Sequence, residues 1–289
     1  CAVQNLLFGQ NHPALAEKRI ATIQTLGGSG ALKVGADFLK RWFPEAQAYV
    51  SDPTWDNHKS IFEGAGIQTG TYPYYNPATG GVKFEEMLAF FLSLPEHSIL
   101  ILHPCCHNPT GIDPTPEQWA ALAKMSAEKG WLPLFDFAYQ GFANGLEQDA
   151  AGLRAFAANH QEMLVASSYS KNFGLYNERV GAFTLVAADE ETAARAFSQV
   201  KSIIRTLYSN PASHGGSAVA IVLQDEALKA QWVAELDEMR RRIKEMRRQF
   251  VDLLKEYGAE QDFSFIINQN GMFSFSGLTP EQVDRLKDE

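Results

Sequence analysis

The sequence contains few cysteines and no long apolar run. Its 289 residues include only Cys1, Cys105 and Cys106, an odd set with two adjacent members, which argues against a disulfide framework. No segment is apolar over the length of a membrane span, and the chain opens without the basic region of a signal peptide. We therefore expect neither a membrane protein nor a disulfide-rich secreted domain, and we predict a reducing, cytoplasmic compartment.

The charge distribution gives no sign of a nucleic-acid partner. The net charge is −9, and the sequence lacks a basic stripe interleaved with aromatic residues. The basic cluster at residues 240–248 also contains Glu245 and is typical of the solvated face of a long helix. With 45% hydrophobic residues, the chain can bury a large core, so we expect one large domain or one large and one small domain.

Two further kinds of site are missing from the sequence. The glycine-rich segment 25–32 matches neither the nucleotide P-loop nor the dinucleotide GxGxxG pattern, which disfavours a nicotinamide dehydrogenase. Segment 103–111 holds two cysteines and two histidines, but their spacing fits no standard zinc pattern, and no second cluster accompanies it. We therefore predict no metal site.

Short apolar runs alternate with helical patterns along much of the chain. The runs are nearly all-apolar and bounded by turn residues, as in buried strands of a mainly parallel sheet: 47–50, 98–102, 132–135, 163–166 and 182–186. The apolar spacing predicts helices over 29–41, 56–65, 83–93, 115–129 and 189–206. This alternation predicts an α/β fold with helices on both faces of the sheet and ligand sites at the carboxyl ends of its strands.

The C-terminal part follows a different pattern. One long helix is predicted over 226–257. Two strand-like segments and the turn between them come next, at 263–267, 272–275 and 270–271. Thr279 then starts another helix as its N-cap. We predict a large domain over 1–238 and an incomplete small α/β domain over 239–289, with the long helix bridging the two.

One lysine stands out because it follows a buried strand. Lys171 comes after Ser168 and Ser170, close behind the apolar run 163–166. Desolvation there favours the uncharged amine, which can attack a carbonyl and form a Schiff base. Arg179, a few residues on, suits a phosphate dianion. These residues together predict an anchor for pyridoxal 5′-phosphate (PLP), and an ordinary surface lysine after a strand is the alternative.

Other predicted strand ends carry groups that suit the same cofactor. Asp136, at a buried strand end, needs a cationic partner such as a pyridinium nitrogen, and Tyr139 can donate to a phenolic oxygen. Trp55 can stack on a flat ring, the Asn108 amide lies in a turn, and the glycine turn at Gly28 suits a phosphate. Each group alone also fits a structural role, such as a turn cap for Asp136 or core packing for Trp55.

Six segments, in order along the chain, match one family. They are TLGGSGAL at 25–32, SDPTWDNH at 51–58, HPCCHNPTG at 103–111, DFAYQGF at 136–142, SSYSKNFGLYNERVG at 167–181 and NQNGMFSFSGLT at 268–279. On these residues the chain resembles the class I aspartate and aromatic-amino-acid aminotransferases of PLP fold type I, bacterial branch. The resemblance implies a mostly parallel sheet sandwiched by helices, PLP as cofactor, and ping-pong transamination between amino acids and 2-oxo acids.

The resemblance also implies roles for cofactor-binding residues. Lys171 forms the Schiff base and moves the proton at the substrate Cα, and Asp136 pairs with the pyridinium nitrogen. Tyr139 and Asn108 hydrogen-bond the ring hydroxyl oxygen, and Trp55 stacks over the ring. The catalytic set is therefore Lys171, Asp136 and Tyr139. The phosphate region is implied to contain Gly28, Ser29, Ser168, Ser170 and Arg179.

Substrate contacts and subunit contacts are implied as well. The implied substrate-binding residues are Trp55, Asn108, Arg205 and Phe273. Arg205 occupies the position that reaches the neighbouring subunit's site, where it binds the side-chain carboxylate of a dicarboxylic substrate. Ser209 and Asn210 correspond to the interface segment, so the resemblance implies a homodimer with shared active sites. His58, behind the ring, and His103, supporting the aspartate, are implied helpers rather than catalysts.

Two features of the family fall outside this sequence. The N-terminal arm, with a tyrosine that reaches the neighbouring subunit's phosphate, would precede Cys1. The arginine that binds the substrate α-carboxylate would follow Glu289. We therefore expect the native gene product to be longer.

The implied substrate preference is divided. Arg205 and Asn210 resemble the aspartate enzymes at their positions, whereas Ser29 resembles the aromatic enzymes. We predict an aspartate transaminase with appreciable aromatic activity and 2-oxoglutarate as the second substrate. The alternatives are an aromatic-preferring aminotransferase and a catalytically impaired fragment. Another PLP lyase or decarboxylase on the same fold and a non-catalytic domain are further alternatives.

Overall fold

The computed structural model describes residues 1–288. Its helices are α1 (Ala2–Phe8), α2 (Pro13–Ala16), α3 (Gly27–Trp42), α4 (Asn57–Glu63), α5 (Phe84–Leu92), α6 (Pro116–Lys129), α7 (Leu146–Asp149), α8 (Ala151–Asn159), α9 (Glu190–Leu207), α10 (Ser213–Gln224), α11 (Glu226–Glu256) and α12 (Pro280–Asp288). Its strands are β1 (Ile20–Leu26), β2 (Ala48–Asp52), β3 (Thr69–Pro73), β4 (Tyr75–Asn76), β5 (Gly81–Val82), β6 (Ile99–Leu102), β7 (Leu132–Phe137), β8 (Met163–Ser168) and β9 (Val180–Val186). A 3₁₀ helix spans Ser264–Asn268.

Seven of these strands form one sheet in the order β1-β9-β8-β7-β6-β2-β3. Neighbouring strands from β8 through β7, β6 and β2 to β3 are parallel. Strand β9 runs antiparallel to both β1 and β8. The predicted mostly parallel α/β sheet is therefore confirmed, with β9 as the reversed strand.

Both faces of the sheet are covered, as the nearly all-apolar strands predict. Along β6, Ile99 and Ile101 belong to one buried cluster, together with Leu32 and Val34 of α3. The alternate residues Leu100 and Leu102 belong to the other buried cluster, on the opposite face. Because successive side chains of a strand point to opposite faces, a strand with two buried faces must be apolar at every position.

The five strands and five helices predicted for the alternating part of the chain are all present, as are the long helix and the helix after Thr279, but the strands at the two edges of the sheet were not predicted. Strand β1 interleaves Thr22 and Gln24 with its apolar residues, and β3 contains Gly70 and Pro73. An edge strand has one neighbour and a more exposed face, so it tolerates these residues. Its sequence consequently lacks the all-apolar signal of a central strand.

The prediction of two strands after α11 is wrong. Residues 264–268 form the 3₁₀ helix, and residues 272–275 have no regular structure. Side chains take the place of a strand partner here: the Gln269 amide accepts from Phe275 N and donates to Phe275 O, and Arg247 donates to carbonyls of the segment. Backbone groups satisfied in this way do not need a β-ladder.

One residue of the basic cluster on α11 departs from the predicted solvated face. Most of the cluster's arginines are exposed, but Arg247 is only 4% exposed. Trp232 and Leu236 are likewise buried, against the sheet domain's core cluster.

No helix within residues 1–288 is both long and apolar enough to cross a membrane. The last residue of the predicted C-terminal helix, Glu289, lies outside the described residues.

Helix α6 begins with a capping box whose contribution can be measured. The Thr115 hydroxyl accepts from Gln118 N, and the Gln118 amide oxygen accepts from Thr115 N. Replacing Thr115 with alanine leaves a helical N–H without its acceptor, and we expect the free energy of unfolding to fall by about 1 kcal/mol. Denaturant unfolding measures this loss. Thr115→Ser retains the acceptor and is the control; an equal loss in both variants would contradict the capping account.

Candidate active site

The predicted site residues collect at one edge of the sheet. Asp136 is the penultimate residue of β7, Ser168 is the last residue of β8, and His103 follows β6. Because β9 is antiparallel, its first residues lie at this same edge, where Gly181 pairs with Ser168. Arg179 immediately precedes β9 and therefore joins the group. Polar side chains from separate strands thus meet at the carboxyl edge, where α/β sheets bind ligands.

Lys171 lies among these residues with a free amine. Its Nζ is 4.8 Å from the centre of the Tyr139 ring, and the side chain is partly buried. Within residues 1–288 the amine makes neither a hydrogen bond nor an ion pair. Burial lowers the pKa of Lys171, the Asp136 carboxylate opposes this, and the Arg179 guanidinium adds to it. A lysine in this setting is prepared to act as an uncharged amine.

The chain just after Lys171 is fixed against α11. The Asn172 side chain donates to Gln140 O at 3.2 Å, and the Trp232 indole donates to Asn172 O at 2.7 Å. The Trp232 ring also stacks on Phe173, with 4.4 Å between ring centroids. These contacts hold the backbone next to Lys171, so the position of its amine depends on α11.

Asp136 is a buried carboxylate with a histidine partner. His58 Nε2 donates to Asp136 Oδ2 at 2.8 Å, and the Thr54 hydroxyl lies 2.9 Å from His58 Nδ1. Burial raises the pKa of Asp136, but the hydrogen bond from His58 and the nearby Lys171 outweigh burial and leave the pKa below its ordinary value. The carboxylate is therefore ionised and can neutralise a further cation in this buried setting.

His103 lies close to Asp136 but makes no hydrogen bond to it. Its Nε2 lies 4.0 Å from Asp136 Oδ2, and neither ring nitrogen has a hydrogen-bond partner in the described part of the chain. The ring packs between His58 and His107, with centroid distances of 5.1 and 4.7 Å. The direct support of Asp136 comes from His58 instead, because α4 brings that ring nearer.

Tyr139 follows β7 and forms one wall of the site. Burial raises the pKa of Tyr139, as does the Asp136 carboxylate, while the neighbouring Asn108 amide partly offsets the rise. The phenol therefore stays protonated and can donate a hydrogen bond. Phe273, from the segment after α11, stands edge-on to Tyr139 with 6.1 Å between ring centroids. Phe273 is 47% exposed, so it borders an open space rather than a packed core.

The first turn of α3 forms a cradle beside Arg179. A Cβ added at Gly27 would lie 2.5 Å from Arg179 Nη2, and one at Gly28 would lie 3.0 Å from Ser168 Cβ. Both glycines therefore let neighbouring groups approach the helix N-terminus, and Ser29 lies in the same turn. Arg179 is exposed and forms no ion pair among residues 1–288. Its Nη1 donates to Tyr176 O at 3.0 Å, and no carboxylate neutralises its charge in the described part of the chain. Backbone N–H groups beside such a guanidinium suit a phosphate dianion.

Three more of the predicted site residues, Ser170, Trp55 and Arg205, differ in how close they lie to the residues around Lys171. Ser170 is buried, and its backbone N–H donates to Ser168 Oγ at 3.3 Å, which orders the segment that leads to Lys171. Trp55 is partly buried and edge-on to His58, at 5.4 Å between ring centroids. Arg205 lies in the last turn of α9, is exposed, and donates to Ser209 Oγ at 2.9 Å. The structure thus brings Ser170 and Trp55 into the group and leaves Arg205 outside it.

Two side-chain clusters have ligand atoms close enough to hold a metal ion, within 4.8 Å: His58, His103 and Asp136, and Cys105, Cys106 and Asp149. In the first cluster, His58 and Asp136 already share a hydrogen bond. In the second, the Asp149 carboxylate accepts from the backbone N–H groups of Gly141, Ala143 and Asn144. The absence of a metal site stays a prediction.

Comparison with known proteins identifies the family. A family profile described as aminotransferase class I and II matches residues 1–289. An aspartate aminotransferase of Haemophilus influenzae is 62% identical over 284 residues, which cover 98% of this chain and 72% of that protein. The chain belongs to the class I and II aminotransferases. The resemblance inferred from the six sequence segments is therefore confirmed.

Aromatic-amino-acid aminotransferases are also similar to this aminotransferase. The Escherichia coli enzyme is 52% identical over 288 residues, covering 100% of this chain and 72% of that protein. The crystal structure of an aromatic-amino-acid aminotransferase from Burkholderia pseudomallei, covalently bound to pyridoxal phosphate, has a TM-score of 0.97 and 50% identity. It is covered to 72% by this chain, all of which aligns. The fold of PLP-dependent aminotransferases is therefore confirmed.

Aminotransferases of this class depend on PLP, and the residues present fit that cofactor. Gly27 lets the Arg179 guanidinium lie against the N-terminus of α3, and the amine of Lys171 lies near the ionised Asp136. A cavity of about 650 Å³ lies elsewhere, at the amino ends of the strands, where Ile99, Leu132 and Met163 line it. It contains none of the predicted site residues, so we assign the cofactor to the carboxyl edge.

The sequence did not reveal the residues that hold other site residues in place. Thr54 was part of a recognised segment, but its contact with His58 Nδ1 depends on the turn before α4. Trp232 lies far along the chain from Lys171, and its hydrogen bond to Asn172 O has no local sequence signal. Such partners become identifiable only when the elements are packed together.

Proposed function

We propose that this aminotransferase exchanges amino groups between aspartate or aromatic amino acids and 2-oxoglutarate in a ping-pong reaction, with PLP held by Lys171 as a Schiff base. The observation that carries the proposal is the Lys171 amine. It has no partner among residues 1–288, burial lowers its pKa, and it lies between Asp136 and Arg179. Only an uncharged amine can attack an aldehyde, so this setting suits Schiff-base formation.

PLP supplies an aldehyde that condenses with amines and a protonated ring that withdraws electrons from the substrate Cα. Asp136 would hold the proton on the ring nitrogen, because its carboxylate remains ionised beside His58. Tyr139 and Asn108 would donate to the ring hydroxyl oxygen. Lys171 Nζ would accept the proton from the substrate Cα as a general base. Its lowered pKa keeps the amine able to take up that proton.

The phosphate would bind at the N-terminus of α3. Gly28 and Ser29 offer backbone N–H groups in the first turn of that helix, Ser168 borders the turn, and Arg179 supplies the charge. Ser170 holds the chain between the phosphate region and the lysine. Trp55 would stack on the cofactor ring, and Phe273 would border the substrate side of Tyr139. His103 would be a buried neighbour of Asp136 rather than its direct partner.

A homodimer with shared active sites is part of the proposal. Arg205 is exposed, has no carboxylate partner in the described residues, and is away from the other site residues of its own chain. It would reach the neighbouring subunit's site and bind the substrate side-chain carboxylate in a bidentate manner. Ser209 and Asn210, exposed at the end of the same segment, would lie at that interface.

Replacing Arg205 with leucine tests the substrate assignment. We expect kcat/KM for L-aspartate to fall about 100-fold, because a carboxylate loses its charged hydrogen-bonding partner. The value for L-phenylalanine, which has no side-chain carboxylate, should change much less. Steady-state kinetics with 2-oxoglutarate measures both. Equal losses for the two amino acids would contradict a side-chain carboxylate role for Arg205.

Hybrid dimers test whether Arg205 acts in the neighbouring subunit. A dimer of one Lys171→Ala chain and one Arg205→Leu chain would contain one site with both Lys171 and Arg205 only if Arg205 acts across the interface. Co-expression with two affinity tags isolates this hybrid. Activity toward aspartate should then exceed that of either parent dimer. No gain would exclude the shared site while leaving transamination itself unaffected.

Aromatic preference is the second candidate function. It is favoured by Ser29 in the phosphate turn and by aromatic-amino-acid aminotransferases among the similar proteins. The ratio of kcat/KM for L-aspartate to that for L-phenylalanine decides between the two preferences.

We further propose a domain boundary near 238, with α11 bridging a large domain over 1–238 and a small one over 239–289. We also propose a cytoplasmic location.

A further inference from the structure

One partly buried carboxylate, that of Asp113, joins the turn that contains Asn108 to the segment after α11. Asp113 Oδ1 accepts from His107 N at 2.9 Å, and its Oδ2 accepts from Cys106 N at 2.9 Å. The same Oδ2 accepts from the Asn270 side-chain amide at 3.1 Å. Burial raises the pKa of Asp113 to about 6, and the hydrogen bonds from His107, Cys106 and Asn270 oppose this rise.

The two segments also touch through their backbones. Asn270 N donates to Gly111 O at 2.6 Å. A Cβ at Gly111 would lie 2.9 Å from Asn270 O, and one at Gly271 would lie 2.6 Å from Cys106 Cβ. Both glycines have positive φ, 68° and 87°. A contact this close excludes larger residues on either side, so the distance between the two segments is tightly determined.

Arg247 holds the same segment from the side of α11. Its Nη1 donates to Gln269 O at 2.7 Å, and its Nη2 donates to Gly271 O and Phe273 O, both at 2.6 Å. Its Nε donates to Ser274 Oγ at 3.1 Å. The guanidinium is 4% exposed and has no carboxylate partner in residues 1–288. A buried cation that binds only neutral oxygens fixes the path of the segment by fixing several carbonyls at once.

Asp113 and Arg247 therefore hold the segments that carry Asn108 and Phe273, two neighbours of Tyr139. Asn108 directly follows His107, whose N–H is bound by Asp113. Phe273 has its carbonyl on Arg247 and its ring 6.1 Å from the Tyr139 ring. The space between Asn108 and Phe273 thus depends on two side chains that lie outside that space.

We propose that Asp113 and Arg247 are positioning residues that set the gap between Asn108 and Phe273 and thereby the enzyme's discrimination between substrate side chains. The proposal rests on the function proposed above, in which Asn108 binds the cofactor hydroxyl and Phe273 borders the substrate. Asp113 acts on both sides of the gap, and Arg247 acts on one side only. Asp113 holds the Asn108 turn and Asn270, whereas Arg247 holds only the segment that contains Phe273.

This division distinguishes positioning from a purely structural role. If the two residues only stabilised the fold, their replacement would lower the unfolding temperature without changing substrate ratios. If they position the site, both replacements should change the ratio of kcat/KM for L-phenylalanine to that for L-aspartate. Only the Asp113 replacement should also change the pH midpoint of the bound cofactor's visible absorbance, because that midpoint responds to hydrogen bonds on the cofactor hydroxyl.

The test uses the PLP-loaded enzyme made from the full chain that the gene encodes. The variants are Asp113→Asn, which replaces an acceptor by a donor, and Arg247→Lys, which keeps the charge but loses the planar fork. Asn270→Ala removes one hydrogen bond to Asp113 and is the substitute variant if Asp113→Asn does not fold. Arg248→Lys is the matched control, because Arg248 is an exposed neighbour in α11 that forms an ion pair with Glu245 at 3.9 Å.

We expect the substrate ratio to change about tenfold in Asp113→Asn and Arg247→Lys, and to stay near the wild-type value in Arg248→Lys. The absorbance midpoint should shift in Asp113→Asn alone. Unchanged ratios in both variants, with lower unfolding temperatures, would overturn the positioning proposal and leave the proposed function intact. If neither the wild type nor Arg248→Lys transaminates any of the substrates, the positioning proposal and the proposed function are both overturned.

Discussion

Replacing Lys171 with alanine is expected to lower kcat about 10³-fold or more. The variant lacks both the amine proposed to hold PLP and the base proposed to move the Cα proton. No other amine occupies that position, because Lys171 alone supplies an Nζ near the Tyr139 ring in the described residues. Turnover of L-aspartate with 2-oxoglutarate, measured at saturating PLP, gives the loss.

Lys124→Ala is the matched control for this experiment. Its side chain is 75% exposed on α6, where it pairs with Glu128 at 3.9 Å, and a surface pair of this kind contributes little. We expect its kcat to remain close to that of the wild type. Undiminished turnover in Lys171→Ala would reject the assignment of Lys171 and leave the family membership unaffected.

Asp136→Asn is expected to lower kcat about 10²- to 10⁴-fold and to weaken PLP binding. The amide keeps the shape of the carboxylate but carries no charge, so it cannot stabilise a proton on the ring nitrogen. The His58 hydrogen bond, which holds the pKa of Asp136 down, would then serve a neutral group. Turnover and the equilibrium dissociation of PLP are measured together.

Asp149→Asn is the comparison variant, because it removes the charge of another buried aspartate. Its carboxylate caps the backbone of residues 141–144 and contacts none of the residues proposed to bind PLP. We expect lower stability from this change, with a much smaller loss of kcat than in Asp136→Asn. Equal losses of kcat in the two variants would indicate a general effect of removing a buried charge, and would contradict the specific role of Asp136.

The central part of the fold could be predicted because burial on both faces requires apolar residues at every strand position. Strand β6 satisfies that requirement throughout, and β7 and β8 satisfy it over 132–135 and 163–166, before the polar residues at their carboxyl ends. Each of the three strands was predicted. The edge strands β1 and β3 do not satisfy it, since only one side of each pairs with a neighbour. The segment after α11 resembled a hairpin, but Arg247 and Gln269 bind its backbone in place of a second strand.

The candidate site could be predicted at the level of its segments, because most of its residues follow strands that end at one edge. The pairing of side chains could not be predicted. His58 and His103 both lie near Asp136, and the packing of α4 decides that His58 makes the hydrogen bond. The connection of Asp113 to Asn270 spans most of the chain, and no local pattern marks it. Residues that act through others therefore required the folded structure.

The most direct test of the account is to reduce the PLP-loaded protein with borohydride and to map its peptides by mass spectrometry. Reduction converts a Schiff base into a stable amine, so the modified lysine can be identified. The account predicts phosphopyridoxyl on the peptide that contains Lys171, and none after the protein has been treated with L-aspartate before reduction. A label on a different lysine, or a Lys171 label that persists after aspartate treatment, would contradict it.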